Sequence, residues 1–172
     1  MLTKNMQKAL NEQINKEYFS SYLYLSMMAY FEQINLRGFA IWMRQQTQEE
    51  LAHAMKIFDY VHERGGEVTL VAIEKPQHGW KSPLDAFEAA YKHEQFISDS
   101  INKLVDIARK EKDHATDNFL QWFVSEQVEE ESSVDEVVQQ LRMAKDAPGA
   151  LFMLDRELAS RPQAGAGEQP DA

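Results

Sequence analysis

Residues 39–60 read FAIWMRQQTQEELAHAMKIFDY, and the fold follows from how this stretch is spaced. Phe39, Met43, Gln46, Glu50, His53, Ile57 and Tyr60 recur at alternating steps of four and three. Such steps keep one face of a long helix turned toward neighbouring helices in a bundle. The face is apolar at both ends and polar in its middle, where Gln46, Glu50 and His53 fall. The Gly65-Gly66 pair closes the helix, because glycine accepts the left-handed conformation that ends helices. The spacing predicts a helix over 38–64.

The same pattern recurs on both sides. Long segments rich in Glu, Gln, Lys, Ala, Leu and Met predict further helices over 6–33, 83–110 and 114–144, with a short fifth over 147–159. The third has the clearest start, with Ser82 as cap, Pro83 at the first helical position and Asp85 two residues on. The first seam reads Leu10, Ile14, Glu17, Ser21, Tyr24, Met28, Phe31. The third reads Leu84, Phe87, Tyr91, Glu94, Ser98, Ile101, Val105, Ala108, and the fourth Leu120, Phe123, Gln127, Glu130, Val134, Val137, Leu141. Turns of a few residues near Asn35 and Asp113 make the first and second helices, and the third and fourth, antiparallel pairs. The segment 67–82 is far longer. A 27-residue helix is roughly 40 Å long, and sixteen extended residues reach about 50 Å. That crossover can span the bundle and set the second and third helices parallel. The expected fold is all-α: a four-helix bundle with one long crossover and a short fifth helix, one domain over 1–159. Residues 160–172 are expected to form a disordered tail.

Composition narrows the chemistry. The chain has no cysteine, which excludes disulfides, zinc ribbons, iron–sulfur clusters and thiol catalysis. Its 172 residues carry 28 acids against 18 bases, a net charge of −10. That balance disfavours nucleic acid, which is bound by neutralising phosphates, and suits cations. Residues 1–15 mix Lys, Asn, Gln and Glu with single apolar residues, unlike a secretory leader. No run approaches a membrane span. The expectation is a cytoplasmic protein with no membrane partner.

The interruptions of the four seams decide the function class. Glu17, Glu50 with His53, Glu94, and Gln127 with Glu130 all lie near mid-helix. A midpoint keeps its height whichever way a helix runs, so these groups share one layer of the core. Ionised carboxylates buried together repel and lose hydration; they take up protons, or a cation neutralises them. Two divalent ions would balance four carboxylates. An oxygen-rich set with one imidazole and no sulfur favours iron or manganese over tetrahedral zinc. The seams assign Glu17, Glu50 and His53 to one ion and Glu50, Glu94 and Glu130 to the other, with Glu50 bridging. Gln127 is placed to hydrogen-bond a ligand or a metal-bound oxygen. A satisfied polar network without metal, in a structural or interaction protein, is the competing reading. A small redox enzyme that detoxifies oxidant without storing mineral is another.

The pattern Glu17 … Glu49-Glu50-x-x-His53 … Glu94 … Glu126-Gln127-x-x-Glu130, with Tyr24 and Trp122 beside it, resembles the bacterial non-haem ferritins over 1–159. The resemblance implies a hollow shell of twenty-four subunits, oxidation of Fe(II) by dioxygen or peroxide at an intrasubunit di-iron ferroxidase centre, and storage of ferric mineral inside. It also implies a third iron site formed by Glu49, Glu126 and Glu129 with Glu130; the alternative for these residues is a solvated acidic face. No haem is expected, because bacterioferritins carry a haem-binding Met where Ala52 stands here, and a second E-x-x-H where Gln127-x-x-Glu130 stands. Tyr24, on the Glu17 seam, either hydrogen-bonds a ligand or supplies an electron, or is a core aromatic. Trp122 is a candidate electron donor or packing residue. His62, His78, His93 and His114 are expected at the surface, and the apolar patch 150–154 in subunit packing.

Overall fold

Helices begin where some group takes up their free backbone N–H donors. The computed structural model describes residues 1–145 and 147–160, and in it α1 (Lys4–Gln33) starts behind Thr3, whose Oγ1 accepts from Met6 N at 3.1 Å. For α3 (Pro83–Glu111) the cap is Ser82, with Asp85 N donating to its Oγ at 3.1 Å. For α4 (His114–Met143) it is Asp113, which accepts from Thr116 N at 3.1 Å. The cap of α2 (Arg37–Glu63) comes from elsewhere, since Leu36 has no side-chain acceptor. Asp155 of α5 (Pro148–Leu158) reaches across, and its Oδ1 accepts from Gly38 N at 2.7 Å and Phe39 N at 3.2 Å. This approach requires glycine: a Cβ on Gly38 would lie 1.5 Å from the Asp155 carbonyl oxygen. The five helices start and stop within two residues of the expected bounds.

Cross-helix contacts give the topology. Ser21 donates to Thr47 O at 2.8 Å, and Tyr18 reaches Met55 Sδ at 3.5 Å, so α1 and α2 are antiparallel. Between α3 and α4, Arg142 meets Glu88 at 2.8 Å at one end and Arg109 meets Asp117 at 3.3 Å at the other. Between α2 and α4, Gln46 meets Glu130 at 2.7 Å, and Tyr60 meets Thr116 at 2.9 Å. Both α2 and α3 thus run against α4, and they are parallel to each other. The crossover lies along α1: Thr69 N donates to Asn11 Oδ1 at 2.7 Å, Asn15 to Ala72 O at 3.2 Å, and Ser26 to Gln77 O at 2.7 Å. Trp80 anchors its far end, buried with its ring 5.4 Å from that of Tyr30.

Two apolar clusters fill the bundle. One gathers Tyr24, Phe31, Phe39, Trp42, Phe87 and Val134; the other gathers Leu10, Ile14, Ile57, Ile101, Leu120 and Phe123. The polar layer separates them. All the seam residues read for α2 and α4 are buried, but α1 departs from its reading. Ser20 and Met27 are buried where Ser21 and Met28 were expected, and these two are half-buried. On α3, Leu84, Tyr91 and Ser98 are likewise half-buried. None of the described helices is long and apolar enough to cross a membrane. The tail expectation lies outside the described residues from 161 onward.

Candidate metal centre

The layer between the clusters contains Glu17 from α1, Glu50 and His53 from α2, Glu94 from α3, and Gln127 and Glu130 from α4, all buried. Ligand atoms of Glu17, Glu50 and His53 lie within 4.8 Å of one another, and so do those of His53, Glu126 and Glu130. His53 Nδ1 is 3.6 Å from Glu50 Oε2, a contact too long for a strong hydrogen bond.

Three of the four carboxylates each accept from a carboxamide. Gln13 Nε2 donates to Glu17 Oε1 at 2.8 Å, Gln127 Nε2 to Glu94 Oε2 at 3.1 Å, and Gln46 Nε2 to Glu130 Oε2 at 2.7 Å. Tyr24 donates its hydroxyl proton to Glu94 Oε1. Glu50 differs: no amide, hydroxyl or ring donor reaches either of its buried oxygens or Glu17 Oε2, and in the metal-free chain the Glu17 and Glu50 carboxyls meet only each other, across a shared proton. Buried polar atoms are rarely left unpaired, and three such acceptors on two adjacent carboxylates form a pocket suited to a hard cation.

The electrostatics agree with that suitability. Burial raises the Glu17 carboxyl to about 7, with the Glu94 charge adding to the rise. Burial and the charges of Glu94, Glu17 and Glu130 push Glu50 well above the carboxylate range. Burial raises Glu94 as well. Burial holds His53 down to about 4, aided by the Lys56 charge, so its imidazole is neutral and free to donate a lone pair. Tyr24 is raised by burial and by Glu94, so it stays a phenol and a donor.

Of the flanking acids, Glu49 and Glu126 are half-buried, while Glu129 is exposed and outside both groups of converging ligand atoms. Trp122 is partly exposed, with its ring 5.4 Å from His53 and the Lys56 ammonium 4.2 Å above it. His62, His78 and His114 are exposed as expected, but His93 is not. It is half-buried, 2.7 Å from Ser20 Oγ and edge-on to Tyr24, and burial lowers it to about 4. The sequence reading also missed Gln13, Ser20 and Ser100, all buried polar residues beside a seam. Their signal was faint: Gln13 lies four residues before Glu17, and so on the same helix face.

The model of the ferritin-like domain matches residues 7–144. The chain belongs to the ferritin family. Two bacterial non-heme ferritins are similar to this ferritin over 161 residues. That of Bacteroides fragilis is 45% identical, across 94% of this chain and all of the relative; that of Staphylococcus aureus is 38% identical, across 94% and 97%. Among solved structures, a novel open pore ferritin from the hyperthermophilic archaeon Archaeoglobus fulgidus superposes with a TM-score of 0.93 at 54% identity, covering 94% of this chain and all of that one. A "humanized archaeal ferritin" superposes as well, with a TM-score of 0.93 at 53% identity. Ferritins store iron, and oxidation of ferrous iron is their general activity. The donor set of this ferritin, carboxylate oxygens with one neutral imidazole, fits that cargo.

Proposed function

We propose that this ferritin oxidises ferrous iron at a two-iron centre inside each subunit. Glu17, Glu50 and His53 hold one ion, and Glu50, Glu94 and Glu130 hold the other. The observation that carries this reading is the Glu50 carboxyl: neither buried oxygen has an amide, hydroxyl or ring donor and its one hydrogen-bond partner is the Glu17 carboxyl, while Glu17, Glu94 and Glu130 each accept from a carboxamide. A bridging ligand turns one oxygen to each ion; a terminal ligand can spend one oxygen on a donor, as Glu17 does, or bind the ion through a second lone pair, as Glu94 does with both oxygens accepting. Glu94 is steadied by Tyr24 and Gln127 together, so both residues serve the centre through it. Tyr24 is also placed to give an electron.

In the reaction each of two ferrous ions loses one electron. Dioxygen accepting both electrons with two protons becomes hydrogen peroxide, and peroxide accepting two more electrons, from two further ferrous ions, with two more protons becomes two waters. The protein's part is to bring the ions together, to exclude competing ligands from the layer, and to release the carboxyl protons that burial favours when metal enters. Glu126 joins His53 and Glu130 on the α4 side, which supports a third iron position there with Glu49 and Glu129 at its rim. We place the protein in the cytoplasm as a shell of twenty-four subunits storing ferric mineral, with the exposed Phe152 and Met153 of α5 in subunit packing.

Glu50→Ala tests the bridging role. Stopped-flow absorbance after ferrous addition should show the rapid phase gone while the shell still assembles. Wild-type initial rates in this variant would refute the assignment.

A further inference from the structure

A buried chain of hydrogen bonds leads from the flank of the bundle to the centre. Lys16 Nζ donates to Ser100 Oγ at 2.6 Å, Ser100 Oγ donates to Gln13 Oε1 at 2.6 Å, and Gln13 Nε2 donates to Glu17 Oε1 at 2.8 Å. Gln13 and Ser100 are buried, and Lys16 is half-buried with its ammonium 5.8 Å above the Phe96 ring. The direction of the chain is fixed by chemistry. An ammonium can only donate, so Ser100 Oγ accepts from Lys16, and it gives its single proton to Gln13 Oε1. Gln13 must then present its oxygen to Ser100 and its NH₂ to Glu17. Once Glu17 is ionised, as metal binding requires, a Gln13 amide facing the other way would set oxygen against oxygen at Glu17. The result is a carboxylate with Oε1 occupied by Gln13 and Oε2 buried without an amide or hydroxyl donor, on a residue whose ligand atoms converge with those of Glu50 and His53.

We propose that Lys16, Ser100 and Gln13 are positioning residues that hold Glu17 as a one-oxygen ligand, with Oε2 the oxygen offered to iron. Without the chain, Glu17 can rotate and offer either oxygen or both, and the first ion loses its fixed geometry. Lys16 acts through Ser100 and Gln13 rather than through its field at the metal. The proposal rests on the two-iron reading above.

The test uses cobalt(II), which reports ligand geometry without being oxidised by air, bound to the metal-free assembled shell. Its dissociation constant comes from calorimetry, and the intensity of its visible d–d bands reports coordination. Gln13→Leu should weaken the Glu17-side ion roughly 10- to 100-fold, the usual cost of losing a ligand's orienting partner, and change the band intensity at saturation. Lys16→Met and Ser100→Ala should each give a smaller loss of similar size to one another. The double variant Gln13→Leu/Lys16→Met should bind no more weakly than Gln13→Leu alone, because Lys16 has nothing left to act through. Full additivity in the double variant would overturn the chain, since it would mean Lys16 acts through space. Wild-type affinity and bands in both Gln13→Leu and Ser100→Ala would also overturn it. Glu17→Ala separates the two layers of the argument. If it binds cobalt as wild type does, the metal-centre reading itself fails. If it loses the ion while Gln13→Leu keeps it, the positioning role alone fails.

Discussion

The raised Glu17 carboxyl makes the metal-free protein's stability depend on pH in a direction set by the structure. Burial lifts this group from 4.5 to about 7, so the folded chain holds a proton that the unfolded chain releases. Stability from such a group is full below its unfolded value and is lost as pH rises through its folded value. For this shift the loss between pH 5 and pH 8 is on the order of 2–3 kcal/mol per subunit. It is the Glu17 share alone, because Glu50 and Glu94 are raised in the same layer and add losses of the same sign that both proteins carry. Glu17→Gln removes the charge while its amide oxygen can still accept from Gln13. Melting of chelator-treated shells, followed by circular dichroism at pH 5, 6, 7 and 8, should show the variant gaining on wild type with rising pH. The gain should approach roughly 5–10 °C at pH 8, using about 2–4 °C per kcal/mol for a chain of this size. His53 and His93, both held down to about 4, act oppositely, costing stability as pH falls below 6.5. They are common to both proteins and cancel in the comparison. A difference in melting temperature that stays constant across this range would refute the claim that Glu17 is buried and protonated in the metal-free centre.

Gly38→Ala would drive a methyl group to 1.5 Å from the Asp155 carbonyl oxygen and break the cap that α5 gives α2. It should cost about 1–3 kcal/mol, with faster amide hydrogen exchange across α5 while iron oxidation in the central layer persists; unchanged protection of α5 would contradict the docking described. Glu129→Ala should leave fast oxidation of the first two irons per subunit intact. Glu126→Ala, which removes a group next to His53 and Glu130, should alter iron stoichiometry or later turnover more strongly. If both variants match wild type in stoichiometry, regeneration and metal-soaked structure, these residues are a solvated acidic face.

What the sequence discloses, and what it hides, follows from how many neighbours each helix has. For α2 and α4 the row at four-and-three spacing is buried throughout, so Phe39 to Tyr60 and Leu120 to Leu141 could be read from it, although Ala40, Trp42, Ala54 and Val61 of α2 and Val138 of α4 are buried beside it. On α1 two rows are buried, because this helix packs against α2, α3 and the crossover together. A single-seam reading therefore chose Ser21 and Met28 over Ser20 and Met27. The mid-helix height of Glu17, Glu50, Glu94 and Glu130 was legible because midpoints coincide in any up-and-down arrangement. Gln13 and Ser100 were not, since a polar residue beside a seam reads as surface until its partner on another helix is known. His93 was hidden for the same reason, its place under Ser20 and Tyr24 being set by the crossing of α1 and α3. The cap from Asp155 to α2 spans more than a hundred residues of sequence, and local capping rules have no access to it.

The most direct test of the two-iron centre is anomalous diffraction at the iron edge from crystals of the assembled shell soaked anaerobically with ferrous salt. Two peaks per subunit should appear on either side of Glu50, with one Glu50 oxygen on each ion and His53 on the Glu17 side, apart from any third peak beside Glu126. A single peak, or two peaks with Glu50 bound to neither or to one alone, would contradict it.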